Sequence, residues 1–158
     1  MKQYDYYIGV DPGMTGAIAI IDPNGHCFEV ADCPTVDGEI LYPTIADIFE
    51  SYKIKNYSMF VGIEKAQSMP KQGVCSVGNY MRGYGVYLGI FASFKIPYRE
   101  IRPTEWKKSF GLLHQDKSAS ITKALQLFPY LSDRIYLKKH HGRAEAVLLA
   151  QFTFAYSN

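Results

Sequence analysis

Three acidic residues sit where carboxylates can do chemistry. Asp11 closes an apolar run over residues 4–11 and is followed at once by Pro12 and Gly13, a turn signal. An Asp at the tip of a strand stands where open α/β sheets place their ligands. Gly13 and Gly16 let the backbone turn tightly into the next segment. Glu64 ends a second apolar run, Met59, Phe60, Val61, Gly62 and Ile63. A charge finishing a buried strand is costly unless it is paired or metal-bound. Glu145 opens an apolar stretch, Ala146, Val147, Leu148, Leu149 and Ala150, and His141 precedes it by four residues, so the two share a helix face. Each feature alone has a plainer reading: a common turn, a strand-end Glu facing water, an acid favoured by a helix N-terminus. Together they make a three-point carboxylate set. If the strands of Asp11 and Glu64 are parallel neighbours, the two acids form a hard-oxygen site suited to Mg²⁺. Two metals held by such a set activate a water and stabilise the leaving oxygen of a phosphodiester.

The elements that must position these residues follow from pattern. Residues 4–11, 16–21 and 27–30 read as three strands, joined by the Asp11 turn and by Asp22, Pro23, Asn24 and Gly25, which implies an antiparallel meander. Ile45, Ile48, Phe49 and Tyr52 fall at helical spacing over 43–54, with Pro43 suited to the first turn. A strand over 58–64 follows. A long close-packed helix is expected over 76–94, where glycines interleave with Tyr80, Tyr84, Tyr87, Leu88 and Phe91. It is read either as a dimer surface or as a helix buried within one subunit. A short strand spans 96–101, and a short helix carries Trp106 as a packing anchor. A helix over 116–128 stops at Pro129, and a last helix spans 141–156. This order predicts an α/β fold, a mixed central sheet flanked by helices, in one domain over residues 1–158.

Composition narrows the class. At 158 residues, 47% hydrophobic and 20% charged, the chain is globular in character, and no eighteen-residue apolar stretch suggests a membrane span. The start shows no signal-peptide pattern, so an intracellular protein is expected, in an organelle if a transit peptide is removed. Net charge is only +2, but it is unevenly spread. Residues 1–63 carry three lysines against nine acids; residues 64–158 carry fourteen Lys or Arg against six acids. A basic part beside a carboxylate-bearing part suits an enzyme that grips phosphate with one surface and metal with another. Cys27, Cys33 and Cys75 lack metal-ligand spacing, and no disulfide framework is expected. Half a zinc site at His26, Cys27 and Cys33 is the weaker reading.

Taken together, Ile8, Gly9, Val10, Asp11, Pro12 and Gly13, then Ile63 and Glu64, then Gly142, Arg143, Ala144, Glu145 and Ala146 resemble the RuvC-type Holliday-junction resolvases, the phage and plastid members above all. The runs 68–74, 102–108 and 127–129 resemble the phage-type branch, so the likeness spans residues 7–151. It implies a ribonuclease H-like fold, a homodimer, two Mg²⁺ or Mn²⁺ ions per site, and paired symmetric nicks in four-way DNA junctions. Carried over by position, it makes Asp11, Glu64 and Glu145 metal-binding catalytic carboxylates, with His141 at the fourth position. Many members have Asp there and some have His. Imidazole brings no negative charge, so weaker metal retention and stronger pH dependence are expected. His140 is the rival for that place. Lys65, Lys71, Arg82, Lys107, Lys108, Lys117, Lys138, Lys139 and Arg143 are the candidate DNA contacts, which would neutralise phosphates without reading sequence. The segment 67–78 is a candidate loop into the junction centre, and Tyr80 and Tyr84 are candidate base-stacking residues.

Three other readings are set against the resemblance. Residues 9–16 also resemble the first phosphate loop of actin-like ATPases and sugar kinases, but those need two lobes and a second phosphate loop. A junction-binding module without cleavage, and a ribonuclease H acting on RNA–DNA hybrids, are the remaining alternatives.

Overall fold

The computed structural model describes residues 3–67 and 73–157. Three strands form the meander: β1 (Tyr6–Asp11), β2 (Ala17–Ile21) and β3 (Cys27–Asp32). β1 pairs antiparallel with β2, and β2 antiparallel with β3. The turn between β2 and β3 is held by Asp22, whose Oδ1 accepts from the Asn24 and His26 backbone N–H groups, while Gly25 takes a positive φ of 81°.

A small hairpin follows that the sequence reading does not anticipate: β4 (Thr35–Val36) and β5 (Glu39–Ile40). Helix α1 (Tyr42–Ile54) carries Pro43 in its first turn and buries Ile45 and Phe49. Strand β6 (Met59–Glu64) lies parallel to β1, and β7 (Tyr98–Ile101) lies parallel to β6. The sheet order is therefore β3-β2-β1-β6-β7. Helix α2 (Val74–Ser93) begins two residues earlier than its pattern suggests. Helix α3 (Pro103–Ser109) starts directly after β7. Asp116 caps α4 (Lys117–Leu127), its carboxylate accepting from the Ser118 and Ala119 N–H groups. α5 (His141–Ser157) is the last of the described elements.

Alternation along β1 and β2 fills both faces of the sheet. Tyr7, Ala17, Ala19 and Ile21 pack with Trp106, Ala124 and the apolar length of α5; Ile8, Val10, Ile18 and Ile20 pack with α1 and α2. Both faces of the central strands are thus removed from water, the pattern of a sheet covered by helices on each side. Cys27 belongs to the first cluster and Cys33 to the second, and both are free thiols, so they do not converge on one zinc site. His26 instead stacks on Tyr130 at 4.8 Å.

β1 and α5 approach each other backbone to backbone. A Cβ on Gly9 would overlap the Ala146 carbonyl oxygen and the Ala150 nitrogen of α5. Only glycine lets the helix axis come so near the strand. At the head of α5, a Cβ on Gly142 would overlap the Thr15 carbonyl in the turn after Asp11. The last helix is therefore seated against both the strand and the turn that carry Asp11.

Candidate active site

β1 and β6 pair in register through Val10 and Ile63, so Asp11 and Glu64 each follow one residue later at the same end of two neighbouring parallel strands. α5, pressed on β1, brings Glu145 up to them. Each carboxylate has its own partner. Asp11 Oδ1 accepts from the Gly13 N–H at 3.3 Å. Glu64 Oε2 accepts from the Trp106 indole N–H at 2.7 Å. Glu145 Oε1 stands 3.4 Å from Lys107 Nζ.

The electrostatics show three acids sharing a small, poorly solvated space. Burial pushes the Asp11 carboxyl up to about 7, and the charges of Glu64 and Glu145 push in the same direction; the Gly13 N–H and Lys107 act against them. Glu64 is raised first by burial and then by Glu145, with the Trp106 hydrogen bond and Lys107 opposing. Lys107 also lies 5.1 Å from the Trp106 ring centre, so α3 delivers a neutral donor and a cation to the site from adjacent positions. Among the described residues, no three His, Cys, Asp or Glu side chains already form a cage around an ion position. The donors are nonetheless hard oxygens in a site short of positive charge, which is the chemistry that fits Mg²⁺ or Mn²⁺.

His141 is the first residue of α5, one turn before Glu145, and is partly buried. His140 is employed elsewhere. Its Nδ1 accepts from the Tyr136 and Leu137 backbone N–H groups at 3.3 Å each, and Tyr136 packs edge-on against its ring. Burial first, then Arg143 and Lys139, hold the His140 imidazole below its ordinary value.

The basic candidates divide. Lys107 is in the site. Arg82 and Lys117 line a groove of about 670 Å³ beside Pro12, Met14 and Thr15 of the Asp11 turn, with the β4–β5 hairpin and α2 as its other walls. Lys138 and Lys139 are exposed on a single 3-10 turn before α5, and Lys108 is exposed on α3. Lys65 sits 3.8 Å from Glu100. Arg143 is engaged on all three guanidinium nitrogens: Nε and Nη2 donate to the two oxygens of Asp32 at 2.6 Å each, and Nη1 donates to the Arg134 carbonyl at 2.8 Å. A phosphate would have to compete with that fork. Lys71 lies outside the described residues, as do 68–72 of the candidate loop; Val74 to Gly78 belong to α2.

Tyr84 is buried in the core, its hydroxyl donating to Glu100, which removes it from base stacking. Tyr80 is partly buried, and its phenol is raised first by burial and then by Glu64, Asp11 and Glu145, which places it within reach of the carboxylate cluster. Trp106 does more than anchor the core. Only its indole nitrogen betrays this, and a sequence shows which residue carries a donor but not what it faces.

The arrangement of strands, helices and carboxylates has solved counterparts. One is Thermus thermophilus RuvC, matched at a TM-score of 0.59 with 17% identity over 95% of each chain. The fold is that of RuvC. A second solved structure, Thermus thermophilus RuvC in complex with Holliday junction substrate, matches at a TM-score of 0.66 with 14% identity over 96% of this chain and 94% of that one. The α/β architecture is accordingly ribonuclease H-like, as the sequence resemblance implies. No family model and no curated protein matches this chain. The shared fold is thus present at 14–17% identity.

Proposed function

We propose that the chain is a divalent-metal-dependent endonuclease that cuts branched DNA, with four-way junctions as its substrate. The grouping of Asp11, Glu64 and Glu145 at one end of the parallel β1–β6 pair carries this reading. Likeness to a RuvC solved with a Holliday junction supports the choice of substrate. Asp11, Glu64 and Glu145, with His141 one helical turn before Glu145, would hold the ions. Bound there, they would supply Lewis acidity and an activated water.

The chain's own groups do the rest. The Asp11 turn and the head of α5 fix two carboxylates relative to each other. Lys107 balances Glu145 until charge arrives from outside. Arg82 and Lys117 offer two cations along the groove beside the Asp11 turn, where they would meet a phosphate backbone. On the proposed reading the whole chain is one nuclease unit and works as a homodimer. The outward face of α2 supports that arrangement, because Gly78, Gly85 and Gly89 have open space around them and would let a second copy approach closely. No helix among the described residues is long and apolar enough to cross a membrane.

The test is a synthetic immobile four-way junction, incubated with and without Mg²⁺ or Mn²⁺ beside linear duplex and RNA–DNA hybrid. Symmetric metal-dependent nicks in the junction alone are expected. Asp11→Asn should abolish cutting and leave junction binding nearly intact. Cleavage of the hybrid in preference would reassign the chain to ribonuclease H chemistry. A second reading is favoured by the Lys107–Glu145 pair: a junction binder in which a lysine permanently occupies the place of a cation. That reading is upheld if the junction is retarded in a gel and never cut across metals and pH.

A further inference from the structure

The side chain that fixes Glu64 is a tryptophan, and its placement goes beyond core packing. Trp106 is the chain's single tryptophan and is fully buried. An indole N–H is a donor with no acceptor capacity, and a buried one takes a partner. Here the partner is Glu64 Oε2 at 2.7 Å. The donor is held from two directions. Ile101, the last residue of β7, pairs with Glu64 itself, and the Lys65 N–H donates to the Ile101 carbonyl at 2.8 Å. α3 begins two residues beyond Ile101, and the Glu105 N–H donates to the Arg102 carbonyl at 2.9 Å, closing the first turn beneath Trp106. The strand that carries the carboxylate and the helix that carries the indole are thereby registered to each other within five residues of chain.

We infer that Trp106 is a positioning residue for the metal site: it commits Glu64 Oε2 to the indole and leaves Oε1 as the oxygen for ligation. This rests on the proposed metal-dependent nuclease reading. The neutrality of the donor matters. Lys107 on Glu145 supplies charge and competes with an incoming cation; the indole supplies direction without charge and stays in place when the ion binds. Outer partners that orient a ligating carboxylate commonly change metal affinity by about 10–100-fold when removed.

The experiment follows Mg²⁺ into the full chain by two-dimensional ¹⁵N–¹H NMR, where a single tryptophan gives a single indole resonance. The indole signal should shift saturably, in step with the amides of Gly13 and Ala146. Glu64→Gln should move it without metal. Trp106→Phe should weaken Mg²⁺ binding by calorimetry about tenfold or more. If the amides respond while the indole does not, and Trp106→Phe binds Mg²⁺ as tightly as the native chain, Trp106 only packs and the inference is overturned with the nuclease reading intact. If no resonance responds saturably, the metal reading fails and the positioning role goes with it. Should Trp106→Phe not fold, the native indole titration with its Glu64→Gln control decides.

Discussion

Lys107 Nζ lies 3.4 Å from Glu145 Oε1, at the mouth of a site that otherwise holds three acids. The lysine is partly exposed and Glu145 mostly buried, so the pair neutralises charge where water screens it poorly. Lys107→Met should lower the melting temperature in chelator and enlarge the rise produced by Mg²⁺, because the resident competitor for Glu145 is gone. Melts of both proteins with and without the ion check this. Equal metal-induced shifts would mean that Lys107 does not contend for the site.

The raised Asp11 carboxyl has a sign that can be measured. Its folded value of about 7 lies above the ordinary 3.8. Between these values the folded chain keeps a proton that the unfolded chain has released. Stability is therefore lost as pH rises through the window, by an amount on the order of a few kcal/mol, and the loss levels off above about 7. In chelator, Asp11→Asn should match the native chain near pH 4 and become increasingly more stable toward pH 8. A constant difference across pH would remove Asp11 from the charge cluster.

Arg143 and Lys108 should separate structure from substrate. The fork from Arg143 to Asp32 joins residues 111 apart in sequence, though Asp32 is largely exposed. Arg143→Lys keeps the charge and loses the fork, and should cost about 1–2 kcal/mol in chemical denaturation. Lys108→Ala should leave stability unchanged and reduce the slope of log binding constant against log salt by about one. A reversed pattern would make Arg143 the phosphate contact.

The seat of α5 on β1 can be challenged directly. Gly9→Ala drives a methyl into the backbone of Ala146 and Ala150, with no flexible side chain able to yield. A loss of about 3 kcal/mol, the upper end of the usual cost of overpacking, is expected. Denaturant titration would show it, and a near-native midpoint would mean that α5 can shift along the sheet.

These outcomes follow from contacts that the sequence announced unevenly. Strands 4–11 and 58–64 were legible because each is an apolar run ended by a carboxylate, and helix 43–54 because Ile45 and Phe49 recur one turn apart. The β4–β5 hairpin was not, although Asp37 and Gly38 both take positive φ, the demand of a tight two-residue turn. Its strands are two residues each, too short to show alternation. Asp11, Glu64 and Glu145 could be grouped because parallel pairing brings strand ends together. What each carboxylate touches could not, since Trp106 and Lys107 reach them through tertiary packing. Arg143 read as a phosphate contact because its anion, Asp32, lies on another element. Tyr84 read either as a helix-packing residue or as a stacking ring, because its burial depends on where α2 lands.

The glycine seam between β1 and α5 also bears on which ions the site would accept. Asp11 rides on the strand and Glu145 on the helix, and backbone atoms rather than adjustable side chains set the gap between those two elements. If both act as ligands, a pair carried on so rigid a mount would spread little for a larger cation and close little on a smaller one. Mg²⁺ asks for a tight octahedron and Ca²⁺ for a looser, wider shell. Discrimination between them by radius would then be built into the chain before any ion arrives.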